Sequence, residues 1–128
     1  MKMLLTLVAA LALATAAYAG QFPDISITEL KASLETKKVT LLDVNGTSSY
    51  QSGHIPGAID YTAVKKDLAK VLPKDKNALV VAYCGGPACG AYQAAAKAAK
   101  DLGYKNVKHL AAGISGWKEA KETIEKAN

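Results

Sequence analysis

Apolar positions recur along the chain with two different periods, and the alternation between them predicts the architecture. Ile27, Leu30 and Leu34 stand at helical spacing. They follow Ser26-Ile27-Thr28-Glu29, a capping box in which the Ser26 hydroxyl satisfies a free backbone N–H and Glu29 reaches back. Lys37-Lys38 closes the segment with cations at the helix C-terminus. Residues 39–44 are branched and almost wholly apolar, the pattern of a strand buried on both faces. Residues 45–53 are polar and turn-rich, a loop or a broken helix. Residues 58–61 predict a short strand, and residues 62–72 a helix ended by Pro73. Residues 78–83 read as a second buried strand. Residues 91–102 give the clearest helix: Gln93, Lys97, Lys100 and Asp101 form a polar face, while alanines, Tyr92 and Leu102 line the other. Gly103 takes the position just past its end. Residues 107–110 predict a third strand, Gly113 a turn, and residues 115–126 a final helix carrying Trp117. Strands alternating with helices predict an α/β fold with a parallel sheet covered on both faces.

Residues 1–19 break this pattern. Lys2 is followed by an apolar run over residues 3–14, interrupted only by Thr6, and then by the small-x-small sequence Ala17-Tyr18-Ala19. That is the anatomy of a secretory signal peptide. The run is shorter than the ~20 residues a spanning helix needs, and no cysteine near the cut supports a lipid anchor. The expectation is cleavage before Gly20, a single domain over residues 20–128, no membrane association afterwards, and a periplasmic or secreted location. Such a compartment is oxidising, which exposes cysteines to disulfide chemistry.

Composition narrows the function. A chain of 128 residues, 50% hydrophobic and 21% charged, has room for one folded domain and is neither disordered nor fibrous. The formal charge is +5, and all 16 basic residues are lysines, spread along the chain. Without arginine the bidentate tool for phosphate and guanine is missing, so no nucleic-acid partner is expected. Two cysteines cannot alone make a four-ligand metal site, and the two histidines, His54 and His109, are too few and too scattered to help, so no metal or cofactor is expected. His54 sits in a turn motif, and Trp117 reads as core.

The chemistry points to Cys84. It directly follows the second strand and begins Cys84-Gly85-Gly86-Pro87-Ala88-Cys89-Gly90, just before the alanine-rich helix. Ligands in open α/β sheets bind beyond the carboxyl ends of strands. Glycines let such a loop curl so that successive N–H groups point inward, and the helix adds its positive end. An anion at the centre is stabilised, and here the centre is the Cys84 sulfur; a helix N-terminus lowers a cysteine pKa from its usual ~8.5. Spacing alone leaves other readings open: a buried structural thiol, or one half of a disulfide with Cys89.

Two segments carry a family resemblance. Residues 41–59, LLDVNGTSSYQSGHIPGAI, resemble the first signature of rhodanese-like sulfurtransferases: an apolar strand, Asp-Val, an aromatic, then Gly-His-Ile-Pro-Gly-Ala. Residues 80–117 resemble the second: strand, cysteine loop, alanine-rich helix, Gly-Tyr-x-Asn-Val, strand, glycine turn and tryptophan. The resemblance implies a five-stranded, mostly parallel sheet with helices on both faces. It implies a sulfurtransferase that carries sulfane sulfur as a persulfide on Cys84, taken from thiosulfate, polysulfide or a protein persulfide. A thiol or cyanide then accepts the sulfur, and a protein partner is compatible with the family. The backbone N–H groups of Gly85, Gly86, Ala88, Cys89 and Gly90 are implied to hold the persulfide. Asp43, by its own position at the end of a buried strand, is expected to bond nearby backbone and to support the site. Rhodanese-like domains also serve as non-enzymatic binding modules, and a dithiol–disulfide redox protein using Cys84 and Cys89 is a third reading.

Two departures stand out. Many members place an arginine where this chain has Cys89, so an anionic donor loses a cationic contact. An arginine after Asp-Val and an acid before the aromatic are replaced by Asn45 and Ser49, which leaves both partners of an implied ion pair neutral together. Two thiols in one exported loop favour an oxidisable pair, provided the Cα atoms approach within about 4.4–6.8 Å.

Overall fold

The computed structural model describes residues 22–127. The signal peptide expected over residues 1–19 lies outside the described residues. Four strands form one parallel sheet in the order β2-β1-β3-β4. They are β1 (Val39–Asp43), β2 (Ile59–Asp60), β3 (Leu79–Tyr83) and β4 (Val107–His109). The helices are α1 (Ile27–Glu35), α2 (Thr47–Ser52), α3 (Tyr61–Val64), α4 (Leu68–Val71), α5 (Tyr92–Asp101) and α6 (Gly113–Glu119).

Alternation along the two central strands sorts the core into two layers. Leu42, Val80 and Ala82 face one side, where they meet Phe22, Leu68, Tyr104 and the buried alanines of α5. Leu41, Val81 and Tyr83 face the other, against Leu30, Ile55, Leu110 and Trp117. Val39 to Asp43 pairs with Leu79 to Tyr83 residue for residue, so Asp43 and Tyr83 end level with one another. Ala95, Ala96 and Ala99 are fully buried, which brings α5 close against β3 and β4. At the start of α1, the Glu29 N–H donates to the Ser26 hydroxyl at 3.1 Å. Gly103 ends α5 at φ 96°, a left-handed position that glycine tolerates.

Several expectations need correction. The sheet has four strands among the described residues, not five. A fifth position is held only by Asp24, which forms a single parallel bridge beside His109 at the β4 edge. Ile25 N–H donates to the His109 carbonyl at 2.9 Å, and His109 N–H to the Pro23 carbonyl at 2.8 Å. Pro23 has no N–H to extend that ladder, and Ser26 already caps α1, so the strand stops at once. The helix expected over residues 62–72 is three short turns, with a 3-10 turn over Lys65–Asp67 between α3 and α4. Leu102 is 39% exposed, outside the buried face of α5.

The helix expected over residues 115–126 ends at Glu119. Trp117 donates its indole N–H to the Thr123 carbonyl at 2.8 Å, Lys121 turns left-handed, and the chain runs back antiparallel to His54. Long-range pairing there outweighs the local helical pattern.

Candidate active site

The carboxyl ends of β1 and β3 lie side by side and carry opposite chemistry. At the β1 end, Asp43 is fully buried. Its carboxylate accepts the Tyr83 hydroxyl at 2.6 Å and the Asn45 N–H at 2.8 Å. The Tyr83 oxygen in turn accepts the Ile55 N–H at 3.1 Å. Burial, and then the hydrogen bond to Asp43, push the Tyr83 phenol far above its ordinary pKa, so the hydroxyl keeps its proton and donates. Asp43 bonds nearby backbone, as its strand-end position implies. Its contacts go to Tyr83 and Asn45, and it reaches the cysteine loop only through the residue that precedes Cys84.

At the β3 end the chain enters the loop of residues 84–90. Cys84 is buried, with 1% of its surface exposed, while Cys89 is half-buried. The two are joined by a disulfide whose Cα atoms lie 6.2 Å apart. Spacing had left this pairing open, and the curl of the loop satisfies its reach. The Cys84 sulfur also lies 3.4 Å from the Cys89 carbonyl oxygen.

The loop is held from below by α6. Ile114 N–H donates to the Cys84 carbonyl at 2.9 Å, and Ser115 N–H to the Gly85 carbonyl at 3.0 Å. Gly113, at φ 62°, makes that approach possible: a Cβ there would stand 2.6 Å from the backbone of Gly85 and Gly86.

Of the five N–H groups expected to face a persulfide, the Cys89 N–H is occupied, donating to the Gly86 carbonyl at 3.0 Å in a turn over Pro87. Among the described residues, those of Gly85, Gly86, Ala88 and Gly90 are paired with no protein acceptor. In this disulfide-bonded state the Cys84 sulfur is capped by Cys89.

A cleft of about 320 Å³ opens beside the loop. Ala88, Cys89 and Gly90 line it, whereas Cys84, Gly85 and Gly86 do not. Its far wall is Tyr92 and His109, whose rings stack 3.4 Å apart at an interplanar angle of 4°. The His109 Nε2 atom is buried with no hydrogen-bond partner among the described residues. Sequence reasoning passed over His109 as one of two scattered histidines. The usable signal was its place two residues beyond Val107 on β4, which turns both toward the α5 face of the sheet.

The sequence pattern of the rhodanese-like domain matches residues 26–120. An HTH-type transcriptional regulator of Mycobacterium tuberculosis, Rv0324, is 39% identical over 101 residues. That match covers 77% of this chain, and the chain spans 43% of the regulator's length. The thiosulfate sulfurtransferase GlpE of Tolumonas auensis is 29% identical over 100 residues, 77% of this chain and 91% of GlpE. Among solved structures, the BH2092 protein of Bacillus halodurans superposes with a TM-score of 0.69 at 28% identity. It covers 82% of this chain, which covers 77% of that one.

Proposed function

The chain belongs to the rhodanese-like domain family, and from that premise we propose that it is a sulfurtransferase whose Cys84 carries sulfane sulfur as a persulfide. The observation that carries this reading is the placement of Cys84: buried at the carboxyl end of β3, ahead of α5, in a loop with four unpaired N–H groups among the described residues. A persulfide is anionic near neutral pH, and fixed N–H dipoles stabilise it without reorganising.

The disulfide-bonded form is the resting state of this cycle. Once a thiol reductant has opened it, the Cys84 thiolate attacks the outer sulfur of a polysulfide or protein persulfide, displaces the shorter polysulfide or the donor's thiolate, and becomes Cys84–S–SH. A thiol or cyanide then removes the outer sulfur and returns the thiolate. Thiosulfate is a poor donor, because Cys89 stands where many relatives have an arginine and the adjoining cleft carries the carboxylate of Asp24. Export to the periplasm or beyond belongs to the same proposal. Its support is the residue 1–19 pattern, and N-terminal sequencing of exported protein, expected to begin at Gly20, tests it.

The Cys84–Cys89 bond favours one second reading, a dithiol–disulfide redox protein. Two variants separate them. Cys84→Ser keeps the volume of the site and cannot form a persulfide, so it abolishes sulfur transfer to cyanide; transfer that survives overturns the carrier. Cys89→Ala abolishes disulfide exchange but leaves Cys84 able to carry sulfur. A Cys89→Ala protein with no sulfur transfer decides for the redox reading.

A further inference from the structure

We infer that the cleft beside the loop receives a small thiol, hydrogen sulfide or a low-molecular-weight carbon thiol, which opens the disulfide by attacking Cys89 and releases Cys84. The inference deepens the carrier reading and rests on it. It starts from an asymmetry of access. The disulfide has two sulfurs, but Cys84 is 1% exposed and absent from the cleft wall, while Cys89 is half-buried and lines it. Thiol–disulfide exchange proceeds by attack on whichever sulfur the nucleophile reaches. From this cleft that sulfur belongs to Cys89.

The cleft also selects the chemistry of the nucleophile. Asp24 lines it, with its carboxylate fixed by the Ala111 N–H at 2.8 Å, and no lysine does so among the described residues. A dianion such as thiosulfate is repelled, whereas a thiol can approach uncharged. About 320 Å³ is room for a small molecule. Tyr92 and His109 offer a flat aromatic wall, and Nε2 of His109 is a buried polar atom still lacking a partner. Burial lowers the imidazole pKa against a smaller opposing effect of Asp24, so the ring is neutral at pH 7 and attracts no anion.

The step balances as follows. The incoming thiol sheds its proton to solvent, and its sulfur gives an electron pair to the Cys89 sulfur. The Cys84–Cys89 bond breaks, and Cys84 leaves as thiolate with that bond's electron pair. The incoming sulfur is oxidised and the Cys84 sulfur is reduced. With hydrogen sulfide the product is a Cys89 persulfide. The Cys84 thiolate then attacks its outer sulfur, giving the Cys84 persulfide and a Cys89 thiolate. In that case the disulfide serves as the oxidant that loads the carrier. With a carbon thiol the product is a mixed disulfide on Cys89, and a second equivalent of the same thiol releases it and leaves both cysteines reduced.

Time-resolved mapping on the oxidised protein tests this. The protein is mixed with hydrosulfide in one arm, cysteamine in a second and thiosulfate in a third. Samples are quenched in acid, alkylated, and the peptide holding both cysteines is fragmented. The earliest product carries the added sulfur or cysteamine on Cys89 and the alkyl group on Cys84, with the Cys84 persulfide appearing later in the hydrosulfide arm. Thiosulfate opens the bond at least about tenfold more slowly than cysteamine. A first adduct on Cys84, or opening by thiosulfate as fast as by cysteamine, overturns the inference. Sulfur transfer by pre-reduced protein, measured alongside, reports on the carrier separately: transfer that is intact in wild type and lost in Cys84→Ser, with a first adduct on Cys84, sinks this inference and leaves the carrier standing.

Discussion

His54 lies 3.7 Å from the ring of Tyr50 and His109 lies 3.4 Å from the ring of Tyr92, both nearly parallel and both buried. Their surroundings differ. His54 Nδ1 donates to the Tyr50 carbonyl at 2.7 Å, its Nε2 faces the Glu125 carboxylate at 3.8 Å, and its backbone exchanges two hydrogen bonds with Glu125. It ties the returning C-terminal segment to the turn before β2. His109 has its backbone paired with the Pro23–Ile25 segment, yet its Nε2 has no partner among the described residues and its ring walls the cleft beside Cys89. The same ring stack thus sits in a closed structural joint in one place and, beside the reactive loop, with a buried nitrogen left unpaired in the other. What separates them is whether the polar edges are satisfied, not burial.

Substitutions break the comparison in order of size. His54→Phe keeps the stack but leaves the Tyr50 carbonyl without its donor, and is expected to cost about 1–3 kcal/mol of stability, read as a lower denaturation midpoint. His109→Phe keeps the Tyr92 stack and removes an unpaired nitrogen, so it changes stability by less than about 1 kcal/mol at pH 7. A cost as large as that of His54→Phe would erase the distinction. Acid sharpens it. Burial holds the His109 pKa below its ordinary 6.5 in the folded state, so the unfolded chain takes up a proton first as the pH falls. This contribution to stability is fully present above 6.5 and is lost as the pH drops from there towards the folded-state value. His109→Phe flattens that part of the stability–pH curve, and a curve unchanged by the substitution would contradict the assignment. Smallest of all, Glu125→Gln costs less than about 0.5 kcal/mol, because the carboxylate is exposed and its backbone pairing with His54 survives.

The parts of the fold that could be read from the sequence are those decided locally. Branched apolar runs gave β1 and β3, Ser26 and Gly103 marked helix ends, and the alanines of α5 announced close packing. The Cys84 loop was legible because glycines at a strand–helix junction have few other uses. The misses lie where distant residues decide. Ile124 keeps a helical interval from Trp117, but the pairing of Glu125 with His54 draws residues 120–127 out of a helix. The fifth strand shrinks to Asp24 because Pro23 and the Ser26 cap leave it no length. His109 acquires meaning only through the β3–β4 register, which brings it against Tyr92, 17 positions earlier in the chain. Whether Cys84 and Cys89 meet depends on how tightly α6 and Gly113 hold the loop, information that five positions of spacing do not contain.

The central claim, that Cys84 is the sulfur carrier, is tested most directly by intact-mass analysis of the reduced protein after exposure to polysulfide. The account predicts the gain of one sulfur atom, localised to Cys84, removed by cyanide with release of thiocyanate, and absent from Cys84→Ser. A sulfur adduct of the same yield on Cys84→Ser, or one on wild type that cyanide does not remove, would contradict it.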